Sequence, residues 1–326
     1  MRRRLVFILT NVLSIACLWW VLHDQKWAEF WDDLRTLHWG WVILAVVSDI
    51  AVYVVHGWRW SLLLKPIEEI PMWRSVQAIY VGLFANEILP FRTGELIRCY
   101  LQAQWSSLPF SVTLSSALAE RVFDGFWLIL ALTLTIWLVP GLPKYVIDGG
   151  IVMGGVVVIL GVLLGLAMFH KHRMHQMLNG RTGWQRHVLI LIEDLYLIGH
   201  SRYLYYSAFA SIPYLLLQAI PFWAMMRAYS FVDAGLGVAC MLMVILRLSS
   251  AVPQAPGNVG TFQALLAAML VFLGYGADYS KRFSIILWAV ITIPLLVVGS
   301  VALIITGAKI GELHRGAKSG MPVLKS

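Results

Sequence analysis

Charge is what this chain has least of. Of its 326 residues only 13% are charged, against about 25% in an average soluble domain. That deficit excludes a soluble enzyme, a disordered chain and a nucleic-acid-binding module. Cysteine is scarce as well. Cys17, Cys99 and Cys240 lie in or near apolar segments and show no paired spacing, so a disulfide framework is not expected. No hydrophilic stretch is long enough to form a separate soluble domain. The chain also has no Gly-rich phosphate loop with its Lys, no His-Glu-x-x-His and no Gly-x-Ser-x-Gly elbow. Nothing in it nominates a nucleophile, a catalytic metal or a cofactor, so the reading is of a non-enzymatic protein.

What is present is apolar. Hydrophobic residues make up 60%, and there are 15 Trp, a residue that settles at lipid headgroups. Apolar stretches near the length of a membrane span recur from end to end. The predicted fold class is an all-α polytopic membrane protein with about six full spans and two re-entrant helical hairpins, forming a single transmembrane domain over 1–326. Spans are expected near 5–22, 41–64, 111–139, 150–169, 204–228 and 283–308. The first is read as a span and not as a signal peptide, because Trp19-Trp20 stands where a small-residue cleavage site would be.

Two places break the pattern. Ser75 to Leu89 and Glu95 to Trp105 are each too short to span and are separated by Pro90-Phe-Arg92-Thr-Gly94. Ala234 to Val252 and Val259 to Leu273 flank Pro253-Gln-Ala-Pro256-Gly257-Asn258. Half-helices meeting at a Pro/Gly break survive at membrane depth only when packed in protein or lining a wet cavity. The net charge of +8 sets orientation, since basic loops stay cytoplasmic. Arg2 to Arg4, the segment Lys171 to Arg186 and the Lys/Arg-rich tail place both termini and that segment inside. The order span, span, hairpin, span then occurs twice from opposite sides, with 1–140 and 150–310 as halves of an inverted repeat.

Ionisable residues inside the apolar segments cost roughly 2.5–3.5 kcal/mol each on insertion scales, so they must pair, face a cavity or approach an interface. Glu87, Arg92, Glu95 and Arg98 surround hairpin one. Glu120, Arg121 and Asp124 follow, with Asp49, Arg59, Arg227 and Arg247 as single residues. Glu95 and Arg98, at i and i+3, share a helix face, as do Glu120 and Asp124 at i and i+4. Two readings stay open. Glu95–Arg98 and Glu120–Arg121 are structural ion pairs, or the arginines line a polar cavity for an anion, and a guanidinium fork suits phosphate. In hairpin two, Gly257 and Gly260 allow close backbone approach, and the following half-helix would aim its N-terminus at an anion. The tract His170-Lys-His172-Arg-Met-His175 lacks carboxylates and Cys and reads as a solvated loop. Gly150, Gly154, Gly161 and Gly165 read as helix-packing positions.

Four motifs together resemble the transmembrane domain family of lysylphosphatidylglycerol synthase, also called the flippase-like family. They are Arg59-Trp60; Leu89-Pro-Phe-Arg92-Thr-Gly-Glu95-Leu-Ile-Arg98; Ala119-Glu120-Arg121-Val-Phe-Asp124-Gly125; and Pro253-Gln-Ala-Pro256-Gly257-Asn258-Val-Gly260-Thr-Phe-Gln263. Asn258 and Gln263 depart from the family's common Gly and Glu. The resemblance implies a central lipid-headgroup cavity between two re-entrant hairpins, without the cytoplasmic synthase domain. It implies a lipid translocator whose partner is a membrane lipid with an anionic or zwitterionic headgroup, such as a phospholipid or polyprenyl-phosphate sugar, in a bacterial inner membrane. The implied substrate-binding residues are Arg59, Arg92, Glu95, Arg98, Glu120, Arg121, Asp124, Pro256, Gly257, Asn258, Gly260 and Gln263. An intramembrane lipid- or glycan-modifying enzyme and a non-catalytic subunit of an envelope lipid pathway are the alternatives.

Overall fold

The computed structural model describes residues 2–89, 93–138, 144–169, 184–231, 235–249 and 255–307. Twelve α-helices occupy them: α1 (Arg2–Leu22), α2 (Trp27–Thr36), α3 (Trp39–Leu64), α4 (Met72–Ile88), α5 (Gly94–Trp105), α6 (Phe110–Leu138), α7 (Lys144–Phe169), α8 (Trp184–Gly199), α9 (Arg202–Ala228), α10 (Leu236–Ser249), α11 (Thr261–Phe272) and α12 (Ala277–Thr306). There is no strand among the described residues. The protein is an all-helical integral membrane protein. On length and composition alone α3, α9 and α12 each suffice to cross a bilayer. The 26 residues of α3 reach about 39 Å at 1.5 Å per residue, enough to cross a core about 30 Å thick.

The elements follow the sequence pattern closely, and α2 and α8 stand beside the six spans and the four arms of the hairpins. The connection after α1 is not an open loop but carries the ten-residue helix α2. Glu29 and Asp33 of this helix have a partner on another helix, whereas Asp32 pairs with Arg35 of α2 itself. Arg282 of α12 donates to Glu29 at 2.6 Å and to Asp33 at 2.5 Å. Tyr229, just past the end of α9, donates its hydroxyl to Asp33 as well. Burial, and then that hydrogen bond to Asp33, hold the Tyr229 phenol above its usual range. Trp27 and Trp31, one turn apart on α2, are exposed, as expected of an interfacial helix.

Close approach of backbones sets the interior. In hairpin one, a Cβ on Gly94 would come within 1.8 Å of the Gly82 carbonyl oxygen, so α4 and α5 cross there with nothing between them. The Gly stripe of α7 is also a packing surface. Gly150 meets Leu132, Gly154 meets Ile129 and Gly161 approaches Val122, all on α6, whereas nothing lies near Gly165.

Two apolar clusters flank the centre. One gathers Trp60, Ile79, Ile97 and Leu101 around hairpin one. The other gathers Met225, Met241, Leu270 and Phe283 around hairpin two. Helices α3 and α9 form the most extensive pairing and run between the clusters. Helix α4 of hairpin one packs on α12, and α10 of hairpin two packs on α6. Each hairpin is therefore held by the helix that follows the other one. Pro213 and Pro221 lie inside α9, and Pro294 inside α12. Neighbouring helices and side chains can re-satisfy the backbone groups that such prolines release in a membrane.

Candidate functional site

Six ionisable side chains from three helices close into a ring of alternating charge. Arg98 on α5 donates through Nε to Glu95 at 2.9 Å and through Nη1 to Glu120 of α6 at 2.9 Å. Glu120 also accepts from Arg59 of α3, from Nη2 at 3.1 Å and Nε at 3.3 Å. Arg59 Nη1 reaches Asp124 at 2.5 Å. Asp124 pairs with Arg121 at 3.7 Å, and Arg121 returns to Glu95. Three guanidinium groups face three carboxylates, so the ring is neutral when all are ionised.

Local helix geometry explains who pairs with whom. Glu95–Arg98 is the i, i+3 pair that the sequence predicts. The expected Glu120–Arg121 pair does not form. Consecutive residues on a helix point about 100° apart, so Glu120 turns inward to Arg98 and Arg59 while Arg121 turns to Glu95 and Asp124. Asp124, one turn beyond Glu120, shares its face and takes the other side of Arg59.

The ring has a closed side and an open side. Arg59, Arg98 and Glu120 are buried. The Arg121 side chain is 44% exposed, Glu95 33% and Asp124 21%. Aromatic faces seat the buried arginines. The Arg98 guanidinium carbon stands 4.6 Å from the Trp60 ring centroid, and that of Arg59 stands 4.6 Å from Tyr214 of α9. Such contacts gain in strength where the cation is desolvated. Trp60 is anchored in turn by its indole N–H on Ser116 at 2.8 Å, and Ser211 accepts from Arg59 at 3.1 Å.

His56, Ser211 and Tyr214 were not among the residues singled out by sequence. His56 lies three residues before Arg59 on the same face of α3. Its Nε2 stands 3.3 Å from Glu120 Oε1, outside hydrogen-bond geometry, and both ring nitrogens are buried without a hydrogen-bond partner. The i, i+3 spacing to Arg59 was its only signal. Ser211 and Tyr214 read as ordinary positions of an apolar helix and carried none.

Hairpin two forms a separate centre. Pro256–Asn258 is a single 3-10 turn, with Gly257 and Asn258 both at positive φ. A Cβ on Gly257 would lie 3.5 Å from Glu87 Oε2, so this turn meets the end of α4. The Gly257 carbonyl accepts from the Trp288 indole at 3.0 Å. Gly260 has another neighbour than the expected anion. A Cβ there would lie 2.1 Å from the Ser14 carbonyl oxygen, so α1 crosses at that point. The Gly260 N–H is taken by Gln263 Oε1 at 2.7 Å. Gln263 thus caps the N-terminus of its own helix, which leaves less of that end open to a ligand. Arg92, with Pro253 and the His170–His175 tract, lies outside the described residues.

These features define a polytopic helical membrane protein that holds a neutral ion ring inside a bundle with two broken-helix hairpins. The chain belongs to the family described as "Lysylphosphatidylglycerol synthase TM region", which it matches over residues 7–299. It is similar to a UPF0104 membrane protein of Methanothermobacter thermautotrophicus, at 27% identity over 122 residues, 36% of this chain and 34% of that protein. That match takes in about a third of the relative's length. A longer match to a UPF0104 membrane protein of the same organism is 19% identical over 305 residues, 86% of this chain and 89% of the relative. UPF0104 membrane protein MJ1595 of Methanocaldococcus jannaschii is 30% identical over 87 residues, 26% of each chain. No solved structure matches.

Proposed function

We propose that this protein translocates a membrane lipid with a phosphate-bearing headgroup, and that the open side of the ion ring takes that headgroup. The observation that carries the reading is the asymmetry of the ring: Arg59, Arg98 and Glu120 are sealed, while Glu95, Arg121 and Asp124 reach the surface. A sealed neutral ring alone would serve as a structural clamp. An open edge bearing one guanidinium between two carboxylates offers more. A phosphate can displace a carboxylate at Arg121 through a charge-assisted fork, and a cationic headgroup group can occupy the carboxylate released. That exchange favours a zwitterionic headgroup over a purely anionic one, because no charge is left unpaired.

The lipid tails stay in hydrocarbon while the headgroup passes between the hairpins, whose ends meet at Glu87 and Gly257. We read the protein as a transporter and not an enzyme. No nucleophile or paired general acid and base stands beside a donor site among the ring residues. We place it in the cytoplasmic membrane with both termini inside, on the basic bias of Arg2 to Arg4, Lys171 to Arg186 and the tail. Labelling of a cysteine at position 175 by an impermeant reagent from outside intact cells would overturn that orientation.

The test is reconstitution into liposomes with fluorescent lipids of defined headgroup. Wild type should move a zwitterionic phospholipid between leaflets faster than protein-free vesicles. R121Q should slow that movement while retaining normal expression and folding. Equal rates for wild type, R121Q and empty vesicles would remove the reading, and appearance of a covalently altered lipid would replace it with an enzyme.

A further inference from the structure

Among the described residues, one arginine at the α2 end of the bundle has no carboxylate partner. Lys26 pairs there with Glu29 and Asp278, Arg35 with Asp32, and Arg282 with Glu29 and Asp33. Arg227, in the last turn of α9, is exposed and meets an aromatic ring instead. Its guanidinium carbon stands 5.8 Å from the Trp223 ring centroid, and Trp223 meets Trp41 of α3 edge to face at 5.1 Å.

Beside this stack the surface is hollow. Leu37, His38, Trp39, Gly40, Trp41 and Leu44 line a concavity of about 600 Å³ at the corner between α2 and α3. Gly40 keeps it open, since a Cβ there would meet nothing within 4 Å. Two contacts put Arg227 next to the hollow. Trp41, in its wall, packs on the same Trp223 ring that Arg227 covers. The His38 N–H donates at 3.2 Å to the carbonyl of Ala228, the residue after Arg227.

The position along the helices identifies the surroundings. Trp39 opens α3 and Ala228 closes α9, and both helices are long enough to cross a bilayer, so this corner lies at the membrane boundary. Lipid headgroups lie at that level, and Trp rings settle there. The protein neutralises Lys26, Arg35 and Arg282 from within and leaves Arg227 to an anion from outside. A guanidinium fork grips a phosphate through two parallel hydrogen bonds. Trp39, Trp41 and Leu44 give the glycerol backbone and the first methylenes of the chains an apolar wall. The volume falls within the range of about 300–1,000 Å³ usual for small-molecule sites. We propose that this hollow binds an anionic phospholipid of the leaflet at the α2 end, with Arg227 on its phosphate. A net negative headgroup is favoured here, in contrast to the ion ring, because Arg227 brings no carboxylate to receive a cationic group. The site does not rest on the translocator reading.

The test is native mass spectrometry of purified, delipidated protein titrated in detergent with phosphatidylglycerol. Wild type should carry one tight adduct. R227Q should weaken it about tenfold or more, the worth of a charged hydrogen bond. G40F, which fills the hollow from a position with free space around it, should weaken it comparably at an unchanged melting temperature. R35Q should leave it intact, and its survival in R121Q would separate this site from the ring. Wild-type affinity in both R227Q and G40F would overturn the proposal. So would an equal loss in R35Q, which would mean general attraction to a basic face. Full displacement by glycerol 3-phosphate would make the ligand a soluble phosphate and not a lipid. Loss of a dimer in R227Q and G40F, with the lipid adduct unchanged, would make this face a contact between two copies of the chain.

Discussion

Arg59 and Asp124 meet at 2.5 Å across α3 and α6, and this contact joins the sealed half of the ion ring to its open half. Arg59 is the only ring member from α3, the helix that runs along α9 through the centre of the bundle. Without it, Glu120 and Asp124 would be two carboxylates one turn apart on α6 with a cation lost between them.

The sealed half should dominate stability. E120Q removes the shared partner of Arg59 and Arg98 and leaves both guanidinium groups under-compensated where water does not reach. The expected loss is about 3–5 kcal/mol, the cost of breaking a buried pair from one side. R121Q, on the open side, should cost about 1 kcal/mol or less, because water can replace its partners. Unfolding of the detergent-solubilised protein measures both. Similar losses in the two variants would mean that the ring is not asymmetric in energy.

Hairpin one should tolerate no side chain at its crossing. G94V places carbon where the Gly82 carbonyl oxygen stands, and backbone must move to accept it. The expected outcome is poor yield or a markedly lowered melting temperature. G165V should be silent by comparison, since nothing lies within 4 Å of that position. Fluorescence-detected size-exclusion chromatography across a temperature series separates the two.

Gln263 should be judged as a cap. Q263E keeps an acceptor for the Gly260 N–H and adds a charge favourable at a helix start, though a buried one. Q263L removes the acceptor. The leucine variant should lose about 1 kcal/mol, the usual worth of such a hydrogen bond, and the glutamate variant should lose less at neutral pH. The order of melting temperatures is the readout, and a leucine variant as stable as wild type would refute the capping role.

Tyr229 should make stability fall at alkaline pH. Burial and the bond to Asp33 raise its pKa on folding, so the folded state holds its proton more tightly than the unfolded chain does. That stabilisation is complete below the ordinary tyrosine value of about 10 and is lost as pH rises through the higher folded value. Y229F should therefore be less stable than wild type at neutral pH, by about 1.5–3 kcal/mol for a hydrogen bond to a charged group. The difference should narrow at pH values above about 10. Parallel curves for the two proteins throughout would exclude the Asp33 contact.

Much of the architecture was readable from composition and period. Spans must be apolar over a fixed length, so Trp39–Leu64 and Arg202–Ala228 were visible to within two residues at either end. Breaks in that length, at Pro90 and Pro253, revealed both hairpins. The pairs Glu95–Arg98 and Glu120/Asp124 followed from helical spacing alone. Helix α2 was missed because its ten mixed residues have no apolar run to announce them.

The sequence by itself determined that ionisable groups had to be gathered, since a charge facing lipid is too costly to leave there. It did not determine which groups would meet. Arg59 and Glu120 are 61 residues apart, and only the packing of α3 on α6 makes them partners. The same holds for Arg282 and Glu29, which are 253 residues apart. Gly260 shows the limit most plainly. Its residue type demanded a close neighbour, and tertiary structure supplied the backbone of α1 where an anion was expected. Periodicity is local and survives in one dimension, whereas the identity of a contact depends on which helices share a wall.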